Sequence, residues 1–259
     1  MTIFQALLLG LVQGITEFLP ISSSGHLVVL PKLFGWSSHP LVFDTTLHLG
    51  TSFALIVFFW GDLISFVRSK NIDIVKKILI ACIPAGVLGV FLNDLFETYF
   101  RGVSSVIVFL VLGSVLMFVA ENFYLKKWHH LRVSATSKKF SLFSAFLVGM
   151  FQSLALFPGF SRSGSTISGG MFLGLKREEA ARFSFLLAIP IILGAGIFEG
   201  YSSFSELNFL PFEIIFSGII SSFVVGLFCI RFLLSFFRTK QLYVFVVYRL
   251  IFASVLFLL

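Results

Sequence analysis

Charged side chains are scarce in this sequence. Asp, Glu, Lys and Arg make up 12% of its 259 residues, against about 25% in ordinary soluble domains. Hydrophobic residues reach 58%, and 36 residues are phenylalanine. Such a chain has too few polar groups to cover a protein surface in water, so the composition excludes a water-soluble globule.

Cysteine is nearly absent, and a secretory signal peptide is not recognisable. The two cysteines, Cys82 and Cys229, lie far apart in apolar runs, which favours inert buried thiols over a disulfide or a metal pair. No base precedes Lys32, and Gln13 and Glu17 interrupt the first apolar stretch. We therefore expect the N-terminal stretch to belong to the mature fold.

The few charges are unevenly distributed. Fifteen of the 19 Lys and Arg residues fall in the segments 61–77, 126–139, 176–182 and 231–240. Two other segments, 93–101 and 199–213, carry five acids against one base. This distribution follows the positive-inside rule and predicts that the basic segments face the cytoplasm. It accounts for the net charge of +7 without nucleic acid as a partner.

Six stretches are long and apolar enough to cross a hydrocarbon core about 30 Å thick. They are residues 41–60, 78–95, 103–125, 179–198, 214–233 and 241–259. With the basic segments inside, successive spans alternate in direction and the first runs inward. The sequence therefore predicts an all-α, polytopic membrane protein.

Two further apolar stretches, 3–36 and 140–175, are broken near the middle by Pro, Gly and Ser. The second lies between two cytoplasmic segments, so it enters the membrane and returns to the same side. The first ends on the outer side and, by analogy, starts there. Non-helical backbone at such a depth is tolerated only inside protein or beside a water-filled cavity. We therefore predict two re-entrant hairpins that enter from opposite faces and line a cavity with their tips.

The two broken stretches resemble each other in sequence. Residues 10–25 align with 149–164 without a gap, and the identical positions are Gly10/Gly149, Gln13/Gln152, Phe18/Phe157, Ser22/Ser161, Ser24/Ser163 and Gly25/Gly164. A weaker echo pairs Ile83-Pro84 with Ile189-Pro190. Opposite entry together with sequence similarity predicts an inverted-topology repeat. It lies within a single domain, 1–259, with halves of approximately 1–125 and 140–259.

Each break combines features of helix capping and anion binding. Ser is a preferred N-cap residue, so the helix after each Ser cluster directs free N–H groups and its positive dipole end at the tip. Arg162 lies within the second cluster, and its guanidinium matches the geometry of a phosphate. An ionisable residue at this depth is functional by default. The alternative is that Arg162 pairs with Glu17 merely to tie the two hairpins together.

The first hairpin adds groups that can move protons. Gln13 and Glu17 are four residues apart on one helical face, which is directed at the break, and His26 follows the Ser cluster. A carboxylate, an imidazole, hydroxyls and an opposed arginine suit phosphoryl transfer.

Four other ionisable residues lie in or near the predicted spans. Asp44 and His48 are left open, either as an extension of the site or as residues of the outer interface. Glu121 and Arg249 lie near span ends and are expected to snorkel toward water.

Two motifs now point to a family. Gln13-Gly-Ile-Thr-Glu17-Phe-Leu-Pro20-Ile-Ser-Ser-Ser-Gly-His26 and Pro158-Gly-Phe-Ser-Arg162-Ser-Gly-Ser-Thr166 resemble those of the bacterial undecaprenyl-diphosphate phosphatase family, which is linked to bacitracin resistance. The resemblance implies a plasma-membrane (inner-membrane) enzyme with its site open to the outer, periplasmic face. It would convert undecaprenyl diphosphate to the monophosphate carrier lipid used for peptidoglycan. The residues that this assigns to catalysis are Glu17, Ser23, His26 and Arg162, and the predicted substrate contacts are Gln13, Ser22, Ser24, Ser161, Ser163 and Thr166.

The resemblance also implies a divalent cation, and one position departs from the family pattern. Many members have Glu where this chain has Gln13, which cannot act as an acid or base. Its amide oxygen still suits a cation, and Glu17 remains the one certain carboxylate ligand. Mg²⁺ or Ca²⁺ fits oxygen ligands of this kind, with diphosphate oxygens and water completing the shell.

Two questions of function stay open at this point. Either Ser23 attacks phosphorus while Glu17 and His26 handle the proton, or Glu17 or His26 activates water and Ser23 only binds. A lipid-phosphate flippase is the alternative from another class, because many transporters share the inverted repeat. The expected partners are a polyprenyl diphosphate lipid and the bilayer, and a homodimer is left open.

Overall fold

The computed structural model of this protein describes residues 1–36, 40–68, 72–100, 102–128, 134–137, 139–202 and 210–258. Five charged residues of these segments lie outside these ranges: Lys70, Arg101, Arg132, Lys138 and Glu206. Every regular element within the described ranges is helical, which confirms the all-α prediction.

The described residues form eleven α-helices. They are α1 (Ile3–Thr16), α2 (Ser23–Leu33), α3 (Leu41–Phe58), α4 (Trp60–Arg68), α5 (Ile72–Phe100), α6 (Val103–Phe123), α7 (Leu142–Ser153), α8 (Arg162–Phe172), α9 (Arg177–Ser202), α10 (Phe212–Thr239) and α11 (Tyr243–Leu258). A π-helical turn, Tyr124–Trp128, extends α6, and a 3₁₀ turn, Leu154–Leu156, follows α7.

Five of these helices, α3, α5, α6, α9 and α10, are long and apolar enough to cross a membrane. They correspond to the first five predicted spans. The sixth, 241–259, coincides with α11, which has 16 residues and at 1.5 Å per residue rises only about 24 Å. The count of six spans therefore stays a prediction.

The helices that lead into the two breaks pack in the same manner. α1 lies against α10, and α7 lies against α5. A methyl group added at Gly10 would clash with the carbonyl oxygen of Gly218 in α10, and one added at Gly149 would clash with that of Ala81 in α5. Small residues let membrane helices approach closely, which gives this matched pair of glycines a physical reason.

The same packing shows that the Ile-Pro match, unlike the matched positions in 10–25 and 149–164, does not join corresponding helices. Pro84 lies inside α5 and Pro190 lies inside α9. The counterpart of α5 is α10, because these two helices hold α7 and α1. The echo therefore falls on helices that are not counterparts.

The expectation that Glu121 and Arg249 snorkel is wrong, because both side chains have 0% exposure. Glu121 pairs with Arg177 and accepts a hydrogen bond from the backbone N–H of Leu242 at 3.1 Å. Arg249 is surrounded by carbonyl oxygens. A buried charge is tolerated only where it is paired or hydrogen-bonded, so both residues join helices to one another.

Candidate active site

The two helix breaks have nearly the same backbone. We call residues 17–25 the first tip and residues 156–164 the second tip. Ser22 has a φ of 75° and Ser161 a φ of 78°, the only non-glycine residues with positive φ in the described ranges. Each caps the next helix, since Ser22 Oγ accepts from the N–H of Gly25 at 3.3 Å and Ser161 Oγ from that of Gly164 at 3.2 Å. Such a backbone costs about 1–3 kcal/mol for a non-glycine residue and is typical of functional sites.

The tips bond directly to each other through a matched pair of serines. Ser24 Oγ accepts a hydrogen bond from the backbone N–H of Gly159 at 3.4 Å. In the equivalent bond Ser163 Oγ would accept from the backbone N–H of residue 20, but this residue is Pro20, which has none. Ser163 Oγ instead donates to the carbonyl of Leu19 at 3.2 Å. The two breaks therefore are in contact, as predicted. The matched serines differ in role, since Ser24 accepts a hydrogen bond and Ser163 donates one.

Glu17 lies at the centre of this contact, with its side chain 5% exposed. Ser23 Oγ donates to its Oε2 at 2.7 Å, and Arg162 Nη2 donates to its Oε1 at 3.0 Å. The other terminal nitrogen of Arg162 donates to the carbonyl of Ser184 at 3.1 Å, while its Nε has no partner in the described part of the chain. The ion pair of Arg162 with Glu17 does join the two tips. The same carboxylate also accepts a hydrogen bond from Ser23, which a purely structural ion pair would not require.

Two residues flank the carboxylate on its other side. Gln13 Nε2 lies 3.1 Å from Glu17 Oε2 and 2.8 Å from Nδ1 of His48. That imidazole nitrogen lies 3.3 Å from the same carboxylate oxygen. His48, which the sequence left open, is thereby brought into the site, and Asp44 is buried one turn earlier on α3. Gln13 Oε1 is buried and has no partner among the described residues.

His26 lies apart from the hydroxyl that it was predicted to serve. Its Nδ1 is 2.7 Å from the carbonyl oxygen of Ser22, and its Nε2 is 2.8 Å from the hydroxyl of Tyr248. The ring stacks on Phe252 with centroids 4.2 Å apart. Both ring nitrogens are therefore engaged away from Ser23 and Glu17, and a catalytic role for His26 stays a prediction.

The hydroxyls of the two tips differ in exposure. Ser23 and Ser24 are half-buried, whereas Ser161, Ser163 and Thr166 are buried. Ser161 Oγ lies 3.2 Å from Ser163 Oγ. Thr166 Oγ1 donates to the carbonyl of Arg162 at 2.7 Å and lies 2.6 Å from Ser184 Oγ. The hydroxyls of the second tip and of the first turn of α8 are thus bonded within the protein, and their role as substrate contacts stays a prediction.

Comparison with known proteins gives this site a family. Residues 6–255 match the family model described as "Bacitracin resistance protein BacA". The chain belongs to the BacA family. It is 41% identical to a protein of Thermodesulfovibrio yellowstonii over 260 residues, 99% of this chain and 97% of the relative. It is 39% identical to one of Methanosphaera stadtmanae, covering 95% and 94% of the two chains. A relative from Thermomicrobium roseum is 41% identical, with 100% and 98% covered. Each of the three is named undecaprenyl-diphosphatase.

Membership in the BacA family raises the question of a cation, and the donor set fits one. In the described ranges, no group of three or more His, Cys, Asp or Glu side chains is arranged so that it could hold a metal ion by itself. Mg²⁺ in phosphate chemistry needs only one or two carboxylates, because substrate oxygens and water supply the rest. Glu17 of the first tip and the unpartnered amide oxygen of Gln13, one turn earlier on α1, meet that requirement.

The sequence did not predict two contacts near the site: the bonds of Arg249 to both tips and the bond of Tyr248 to His26. Arg249 stands within a continuous apolar run, so the rule that singled out Arg162 as functional applies to it equally. Tyr248 carries no such signal, because tyrosine is common near membrane interfaces.

Proposed function

We propose that this chain is an integral membrane phosphatase that hydrolyses undecaprenyl diphosphate to undecaprenyl phosphate and inorganic phosphate. The product is the carrier lipid for peptidoglycan and other envelope polymers, and bacitracin resistance is an attribute of the BacA family. One observation carries the proposal. The Ser23 hydroxyl donates to Glu17 at 2.7 Å, and the guanidinium of Arg162 lies on the other oxygen of the same carboxylate.

The favoured mechanism uses Ser23 as the nucleophile. Its Oγ attacks the terminal phosphorus while its proton passes to Glu17 Oε2, and the bond from phosphorus to the bridging oxygen breaks, releasing the lipid monophosphate. Water then attacks the phosphoserine, whose Oγ leaves and takes back the proton from Glu17. Arg162 stabilises the charge on the transferring phosphoryl group in both steps, and its unpartnered Nε can donate to a phosphate oxygen.

The alternative mechanism keeps Ser23 as a ligand and lets Glu17 activate water directly. The two differ in one intermediate. Rapid quenching of the enzyme with radiolabelled substrate should trap a phosphoserine that mass spectrometry locates at Ser23. Full turnover without any trapped phosphoenzyme, under conditions that slow its hydrolysis, would favour water.

A divalent cation, Mg²⁺ or Ca²⁺, is part of the proposal, held by Glu17 and Gln13. When bound it would neutralise charge on the diphosphate. Gln13→Glu adds a carboxylate at this position, so the cation concentration for half-maximal activity should fall several-fold, to about one third or less. Gln152→Glu, at the equivalent position on α7 before the second tip, is the matched control and should leave that concentration unchanged. Equal responses of the two variants would contradict a cation at Gln13.

The proposed membrane arrangement has six spans and two re-entrant hairpins in an inverted repeat, with the site open to the outer face of the plasma membrane. The paired packing of α1 on α10 and α7 on α5 supports the repeat. After replacement of Cys82 and Cys229, single cysteines at Ser134 and at Ser203, which lies outside the described ranges, should label from opposite faces, with Ser134 cytoplasmic. Labelling of both from one face would contradict the inverted arrangement.

The decisive experiment is an assay for phosphate release. Purified protein in detergent should release inorganic phosphate from a long-chain prenyl diphosphate, with a divalent cation and without an ion gradient. Transbilayer movement of a lipid phosphate in liposomes, without phosphate release in either setting, would indicate the flippase instead.

A further inference from the structure

Arg249 joins the two tips through their backbone. Its Nη1 donates to the carbonyl of Pro20 at 3.3 Å, and its Nη2 donates to the carbonyl of Gly159 at 2.9 Å. Its remaining bonds reach α6, at the carbonyls of Phe109 and Leu110 and the hydroxyl of Ser114. One fully buried side chain of α11 therefore contacts α6 and both helix breaks.

The two carbonyls occupy the same position in the two breaks. Pro20 and Gly159 are equivalent in the alignment of 10–25 with 149–164. A break leaves carbonyls without helical partners, and in a dry interior each needs a donor. The guanidinium is planar and rigid, with five donors at fixed angles. It therefore satisfies both carbonyls and also fixes the distance between them.

That distance determines the geometry of the proposed reaction. Ser23 follows Pro20 by three residues, and Arg162 follows Gly159 by three residues. Both side chains meet on Glu17, so a shift of one tip relative to the other would separate the hydroxyl from the guanidinium. A misplacement of about 1 Å in a catalytic site can cost about 10²-fold in rate.

We propose that Arg249 is a positioning residue that holds the two tips in register, so that Ser23 and Arg162 act on one phosphoryl group. This rests on the proposed phosphatase function for its kinetic readout. Arg249 would act through the backbone of the two tips and would not contact the reacting atoms.

Gly113 of α6 offers a second way to disturb the bonds that join Arg249 to the two tips, which we call the Arg249 clamp. A methyl group added there would clash with Arg249 Nη2 and lie 2.7 Å from the carbonyl oxygen of Phe160. Gly113→Ala thus displaces the guanidinium without removing it, and it also presses on the second tip at Phe160 but on no atom of the first tip among its nearest contacts. Gly86 is the matched control, because a methyl group added there meets nothing within 4 Å.

The test combines kinetics with hydrogen exchange. Arg249→Lys keeps the positive charge but loses the planar guanidinium, and Gly113→Ala displaces the guanidinium. Each should lower kcat by about 10²-fold while KM changes by less than about threefold. Exchange measured by mass spectrometry should rise in both tips together, at residues 17–25 and 156–164. Arg177→Lys, which changes a half-buried arginine outside the tips, and Gly86→Ala should keep kcat within about threefold of wild type.

Two results would overturn the proposal. One is a kcat close to wild type in folded Arg249→Lys and Gly113→Ala. The other is exchange that rises evenly along the chain, which would make Arg249 a general stabilising residue. If Arg249→Lys does not fold, Gly113→Ala decides through exchange in the first tip, residues 17–25, because the added methyl group presses directly only on Arg249 and on Phe160 of the second tip. A wild-type chain that releases no phosphate would remove the proposed function, whereas exchange rising at both tips in the variants would still support the clamp.

Discussion

The first and second tips place different side chains on one backbone. Directly after the strained cap, the first tip has Ser23 and the second has Arg162, and both are partly exposed. At the position of Glu17 the second tip has Leu156. The first tip therefore holds the hydroxyl and its acceptor, and the second holds the positive charge.

The difference indicates how two helix breaks with the same backbone can make an asymmetric site. The matched residues build the scaffold: Gly10 and Gly149 allow close packing, and Ser22 and Ser161 cap the helices. The unmatched residues at the next position carry the proposed chemistry. A phosphoryl group between the tips would meet a nucleophile from one side and a guanidinium from the other.

The largest expected effect comes from removing the hydroxyl of Ser23, because the second tip has Arg162 at the equivalent position. Ser23→Ala should lower kcat by about 10⁴-fold or more, since loss of a nucleophile is rarely compensated. Ser24→Ala, one residue later and also half-buried, is the matched control and should cost about 10-fold at most. Phosphate release under saturating substrate measures both. Near-full activity of Ser23→Ala would assign the attack to water.

The acceptor at the first tip should come next. Glu17→Gln removes the proton acceptor of Ser23 and the partner of Arg162, and we expect a loss of about 10²–10⁴-fold in kcat. Leu156→Gln installs the same amide at the equivalent position of the second tip. If both variants lose activity equally, the two tips do not differ in the way proposed.

Arg162→Ala removes the charge of the second tip and should cost about 10²–10³-fold in kcat. Arg162→Lys should recover little, because an ammonium cannot reproduce the guanidinium fork. Arg182→Ala, on α9 and paired with Asp62 outside the site, is the control for loss of a positive charge. Full activity of folded Arg162→Ala would exclude the two-tip site.

The smallest kinetic effect is expected at Thr166. Its hydroxyl bonds to Ser184 and the carbonyl of Arg162, so Thr166→Val should cost about 1–3 kcal/mol of stability. We expect kcat to change by less than about 10-fold. Thermal unfolding and phosphate release together measure the two effects. A rise in KM without loss of stability would instead support Thr166 as a substrate contact.

Local sequence predicted the tips well, because their determinants are local. A Ser at a Pro- or Gly-containing break is a cap whatever surrounds it, and both caps form as predicted. An arginine in apolar sequence needs a partner, so the pair of Arg162 with Glu17 was also foreseeable. Five spans follow from length and hydropathy alone.

Contacts set by helix rotation and crossing were not predictable in this way. His48 lies 35 residues from Gln13, and only the packing of α3 against α1 brings them together. His26 follows the Ser cluster closely in sequence, yet the first turn of α2 rotates its ring toward Tyr248. The positive φ of Ser22 and Ser161 also has no sequence signal, since glycine is the usual residue there.

The position of Arg249 has a consequence for the biogenesis of the protein. Pro20 is synthesised early and Gly159 past the middle of the chain, but the side chain that joins them emerges only with α11, the last described helix. An arginine in an apolar helix costs about 2.5–3.5 kcal/mol on insertion, and here the docked helix offsets that cost with hydrogen bonds to α6 and both tips. If Arg249 acts as proposed, docking of α11 completes the geometry of the proposed site. On that proposal, a nascent chain that has not reached this helix contains Glu17, Ser23 and Arg162 but lacks the side chain that joins the two tips.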